Sequence, residues 1–216
     1  SCLNNGKQMG LGSQMYADED PKGALSGAIN YSDDDMNWLF PRYVSNVKSF
    51  ICPSTRNYVP DTNALTIPTG LTDPQGRTFN TSGVATYSER VHENATYLPY
   101  LTDNSSGKNG TLYHSYEIAG FLNGRTAAGS NPNPVRKTQA NVVGYHYKLD
   151  NRGAGAFSTY HYLGQGGGPS QFWLIYDADD RDAADASRKN EDYPDPGDNH
   201  LNAGGNIIFC DGHAEW

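Results

Sequence analysis

The chain has 216 residues, a net charge of −8 at neutral pH and 36% hydrophobic residues, with a pI of about 5.1 and a mean hydropathy of −0.70. There is no basic run, which excludes binding to nucleic acid by phosphate neutralisation. There is no 18-residue apolar stretch and no signal peptide, so no membrane span lies within these residues.

This length suits a single domain, 1–216, that buries about 70% of its unfolded surface. The 24 Gly and 12 Pro predict extensive loops, and the 15 Tyr predict a core that tolerates wet edges. Such a composition reads as a loop-rich exported protein. Residues 1–20 carry a diffuse amphipathic pattern: Leu3, Leu11 and Met15 share a face, with Met9 and Tyr16 beside it. Gly6, Gly10 and Gly12 oppose a helix by about 1 kcal/mol each relative to Ala. Periodicity alone does not assign a helix there, and Pro21 and Gly23 stop one.

Residues 33–46 predict a short helix, capped by Ser32 or Asp33 and limited by Pro41. Val47 to Cys52 predicts a strand closed by Pro53. Residues 53–110 are an irregular insert rich in Pro and Gly, either functional surface or short strands such as Gly83 to Tyr87. Further strands are expected over Leu112 to Ile118, Val142 to Leu149 and Phe172 to Tyr176. The last is almost wholly apolar and therefore central.

The C-terminus carries the clearest local signal. Asp211-Gly212 separates two short apolar runs, and that dipeptide favours a two-residue type I′ turn. The turn would pair Cys210 with His213, Phe209 with Ala214, Ile208 with Glu215 and Ile207 with Trp216. Ile207, Phe209, Ala214 and Trp216 would then share one apolar face.

His200, Gly204-Gly205-Asn206, Ile207-Ile208-Phe209, Asp211-Gly212-His213 and the closing Trp216 resemble the C-terminal motif of a bacterial pilin-like family. Its members carry a prepilin-type N-terminus and end in a His, a nine-residue spacer and Asp-Gly. Here the spacer is ten residues, Leu201 to Cys210. The segment Cys2 to Leu11 with Met15-Tyr16-Ala17-Asp18 is similar to the stretch after that family's membrane helix, and Cys52-Pro53-Ser54 to its Cys-Pro-Ser element. The resemblance implies that residues 1–20 end a helix, and that a membrane-embedded helix precedes them. It also favours a Cys2 to Cys52 disulfide among the three pairings open to Cys2, Cys52 and Cys210.

Two metal readings compete with plainer ones. Asp177, Asp179, Asp182 and Asp198 are candidate Ca²⁺ ligands in a connection that also holds Asp180, Asp185 and Asp195. The spacing is not that of an EF-hand, since Asp182 stands where Gly is needed and Arg188 where Glu is. Type II secretion pseudopilins, which the chain resembles at a distance, bind calcium near their C-terminus. A solvated acidic loop, balanced by Arg181, Arg188 and Lys189, is the preferred reading. For zinc, His200, Cys210 and His213 lack any CxxC or HxxxH pairing. The preferred role of His200 and Asp211 is to hold loop and turn together by hydrogen bonds.

No nucleophile elbow is present, the glycines at 164–168 lack the Lys of a phosphate loop, and no carboxylate pair stands out, so no catalytic residue is assigned. The expectation is a pilin-like α+β domain, its N-terminal helix packed on an antiparallel sheet with long loop inserts. Its expected role is a non-enzymatic subunit of a type II secretion or type IV pilus-like assembly. It would be exported, anchored in the inner membrane, and partnered with other pilin-like subunits through the preceding helix. The alternative is a membrane-tethered exported binding module, for instance for carbohydrate.

Overall fold

The computed structural model describes residues 1–28, 33–60, 65–66, 96–101, 112–122, 125–126, 129–130, 135–144, 146–147, 165–178 and 198–216. Helix α1 spans Cys2–Glu19. Ser1 caps it by accepting from the Asn4 amide, at 3.4 Å. At the other end the Asp20 carboxylate accepts from the amides of Lys22 and Ala24, which closes the turn around Pro21. Among the described residues, no helix is long and apolar enough to cross a membrane.

Strand β1 (Leu65–Thr66) pairs with β2 (Thr96–Tyr97), and β3 (Tyr116–Ile118) opens the main sheet. Two further ladders are β4 (Arg125–Thr126) with β5 (Gly129–Ser130), and β6 (His146–Tyr147) with β7 (Gln165–Gly166). Strands β8 (Trp173–Asp177), β9 (Ile207–Phe209) and β10 (Ala214–Glu215) complete the main sheet, in the order β10-β9-β8-β3, all antiparallel. The described architecture is α+β, with α1 lying on β8, β9 and β10.

The helix face that packs is not the expected one. Leu11 and Met15 point outward, while Cys2, Gly6, Met9, Gly10, Ser13, Tyr16 and Ala17 are buried. The glycines that oppose a helix by propensity permit the close approach. A Cβ on Gly10 would lie 2.3 Å from the Gly212 carbonyl oxygen. Polar side chains pin both flanks of α1: Asn5 donates to the Ile51 carbonyl at 2.8 Å, and Gln14 donates to the Cys210 carbonyl at 3.0 Å. Tyr16 stands edge-on to Trp38 at 5.0 Å and to Tyr43 at 5.7 Å, which joins α1 to the main core.

Several expected elements take other forms. Residues 33–46 are turns, not a helix. The Asp35 amide donates to Asp33 and the Asn37 amide to Asp35, so side chains take the N–H groups a helix would use. Val47–Phe50 is a 3₁₀ turn, not a strand, because Asn46 accepts from the Lys48 amide. Over 112–118 only Tyr116–Ile118 is strand. Within 142–149, α2 (Asn141–Gly144) begins under Thr138, whose hydroxyl accepts from the Asn141 amide, and only His146–Tyr147 is strand. The expected strand at Gly83 to Tyr87 lies outside the described residues.

The terminal hairpin forms with its register shifted by one residue. Ala214 pairs with Ile208 and Glu215 with Ile207. The loop is Cys210-Asp211-Gly212, with only Gly212 at positive φ (87°). A three-residue loop ending in a left-handed glycine replaces the two-residue turn. The slip exchanges the two faces of β9 while Ala214 keeps its own. Ile208 and Ala214 face the core, while Phe209 and His213 stack on the other side with ring centroids 4.4 Å apart.

Candidate functional site

Four chain segments converge at one end of the main sheet. Cys2 opens α1, Cys52 follows the 3₁₀ turn, Asp177 ends β8, and His200 precedes the 3₁₀ turn Leu201–Ala203. A sulfur from each cysteine, a carboxylate oxygen of Asp177 and a ring nitrogen of His200 all lie within 4.8 Å of one another. Both cysteines and the aspartate are buried, and the His200 side chain keeps 15% of its surface exposed.

Local hydrogen bonds aim these groups. β8 and β9 are neighbours, so Asp177 meets Asn206 just before β9. The Asn206 amide and side-chain nitrogen both donate to Asp177 Oδ2, at 2.6 and 2.7 Å. Asn199 donates to Oδ1 at 3.3 Å. His200 Nε2 lies 3.3 Å from Asp177 Oδ2 and 3.3 Å from Cys52 Sγ, while Nδ1 meets Ser54 Oγ at 3.0 Å. Trp216 stands edge-on to the imidazole at 4.8 Å.

The two thiols perturb each other in opposite directions. Cys52 donates to Cys2, which pulls the Cys2 pKa down to about 6 against the opposing effect of burial. The same bond, with burial, pushes Cys52 well up. All three cysteines are free thiols in this structure. Thus the pair expected as a disulfide is brought together, as Cys2 and Cys52 in thiol form.

This is not the geometry of a nucleophilic triad. In a triad the imidazole divides its two nitrogens between nucleophile and carboxylate. Here Cys52 and Asp177 both meet Nε2, and a serine takes Nδ1. Thiol, imidazole and carboxylate instead point at one shared volume, as ligands to a metal do.

The other candidate residues fall elsewhere. The family-motif residues divide in two: His200 and Asn206 enter the cluster, while Asp211, Gly212 and His213 form the hairpin tip against α1. Gly204, at φ 118°, and buried Gly205 connect the two groups. Asp211 bonds the His213 amide and ring within the turn, while His200 makes its hydrogen bonds in the loop, to Ser54 and Asn206. Cys210 faces the Trp173 carbonyl, away from His200. Asp177 and Asp198 are both buried, and Asp179 and Asp182 lie outside the described residues. The sequence suggested Cys2 and Cys52 as a pair, but assigned Asp177 and His200 other roles. Their convergence depends on the pairing of β8 with β9, which no local pattern encodes.

A scan against protein-family models finds no match. Searches of curated proteins and of solved structures likewise return no match to this chain.

Proposed function

We propose that the protein is a non-enzymatic, pilin-like structural subunit, exported and held in a secretion or pilus-like assembly through its N-terminal helix. The observation that carries this reading is the two-sided character of α1. Its inner face is packed on β8, β9 and β10. Its outer face leaves Leu11 at 63% and Met15 at 46% exposed, one helical turn apart. A helix that seals its own domain and still presents an apolar stripe suits packing against a neighbouring helix. The resemblance of the first and last segments to pilin-like chains supports the same reading.

The test uses the full-length protein in its own cells. A photocrosslinking residue at position 11 or 15 should capture pilin-like chains, and Leu11→Asp with Met15→Asp should reduce assembly. The melting temperature of the purified domain should be unchanged by that pair, because both side chains are exposed. Absence of pilin-like adducts at both positions, together with specific glycan binding by the purified domain, would replace the subunit reading with that of a carbohydrate-binding module.

A further inference from the structure

We propose that Cys2, Cys52, Asp177 and His200 bind one Zn²⁺ as a closed structural centre, which ties the start of α1 to the end of β8. The donor set is two sulfurs, an imidazole nitrogen and a carboxylate oxygen, four ligands of the types structural zinc takes. Zinc bonds of about 2.0–2.3 Å make tetrahedron edges of about 3.3–3.8 Å. Two observed edges, His200 Nε2 to Asp177 Oδ2 and His200 Nε2 to Cys52 Sγ, are both 3.3 Å. Every remaining edge is within 4.8 Å, so small side-chain rotations close the set.

The surrounding bonds are those of an outer ligand shell. Ser54 meets His200 Nδ1, and Asn206 brings its side-chain nitrogen, a donor, to 3.3 Å from Nε2. Ser54 can accept from an Nδ1 hydrogen, which leaves the Nε2 lone pair free to ligate. Asn206 and Asn199 hold the carboxylate from behind.

Charge argues the same way. Asp177 is fully buried, and among the described residues the only basic group within ion-pair reach is His200. A buried carboxylate beside two thiols is costly without a cation. Zinc would displace the thiol protons and neutralise most of the resulting charge. The partly exposed edge of His200 gives the ion a way in. The centre is independent of how the chain assembles.

Reduced protein prepared with zinc should retain one Zn²⁺ per chain by elemental analysis. After chelation, Co²⁺ should give thiolate charge-transfer absorption and tetrahedral ligand-field bands. Cys52→Ser and Asp177→Asn should abolish tight binding. Ser54→Ala should weaken it about 10–100-fold, as loss of an outer-shell partner does. Cys210→Ser, at a thiol outside the cluster, should leave the stoichiometry unchanged. If the ligand variants fail to fold, alkylation of the wild type decides: chelation should speed modification of Cys2 and Cys52 but not of Cys210. Wild-type protein that holds no zinc when reduced, or that carries a Cys2–Cys52 disulfide resistant to mild reductant, would overturn the proposal.

Discussion

Gly10 sets two residue-level effects against each other. Helix propensity alone predicts that Gly10→Ala stabilises by about 1 kcal/mol. The added Cβ, however, would sit 2.3 Å from the backbone oxygen of Gly212, which cannot rotate away. Overpacking of that kind costs about 1–3 kcal/mol, so the variant should be destabilised, with a lower urea midpoint. Gly144 in α2 is the control, since a Cβ there meets nothing within 4 Å; Gly144→Ala should be neutral or mildly stabilising. Lys137 offers a second residue-level test. Its ammonium is buried and donates to the Trp173 carbonyl at 2.6 Å, and burial lowers its pKa to about 8 from 10.5. The folded state therefore binds fewer protons than the unfolded state between those values, and the lysine's contribution to stability rises with pH across that window. Below pH 8 the full cost is present, on the order of a few kcal/mol. Lys137→Met should be more stable than wild type at pH 7, and its advantage should shrink as the pH rises from 8 to 10.5 in paired urea titrations.

Among the elements, the terminal hairpin was the most legible in the sequence, and its error is instructive. Asp211-Gly212 marks the turn correctly, but the dipeptide is compatible with a two-residue and a three-residue loop. The contact of Gly212 with α1, a tertiary term absent from any local window, accompanies the longer one. At φ 87° that glycine cannot be replaced cheaply by a residue with a Cβ. Gly212→Ala should cost about 1–2 kcal/mol by thermal or urea unfolding, and Gly212→Asn less, because Asn tolerates left-handed backbone better. Strand β8 was legible because five consecutive apolar or aromatic residues run from Phe172 to Tyr176; Phe172, Leu174 and Ile175 are buried, although Trp173 is 42% exposed. Residues 33–46 misled for a physical reason: Asp33 reads as a helix cap, but the side chains of Asp33 and Asp35 accept the amides of Asp35 and Asn37 in turns. Asn206 shows how an element's end serves the site. Asn206→Ala would keep the backbone donor to Asp177 Oδ2 but remove the side-chain one at 2.7 Å, and should cost about 1–3 kcal/mol in unfolding measurements, as loss of a buried hydrogen bond to a charged group does.

At the scale of the whole molecule, the antiparallel α+β layout was legible, but the meeting of Cys2, Cys52, Asp177 and His200 was not. Their separations along the chain run to nearly its full length, and only the sheet order brings them together. The same layout places α1, the first element, directly on β9 and β10, the last. Contacts of such long sequence separation carry a large loop-closure penalty and slow folding. During synthesis the part of the α1 face around Gly6 and Gly10 has nothing to cover it until β9 and β10 have been made. The described core should thus complete its packing only once β9 and β10 are present, rather than fold progressively from α1 onward. Deleting residues 207–216 should abolish near-ultraviolet circular dichroism and protease resistance throughout the chain, not merely loosen one edge. The topology thus makes full burial of α1 wait on β9 and β10, strands synthesised long after it.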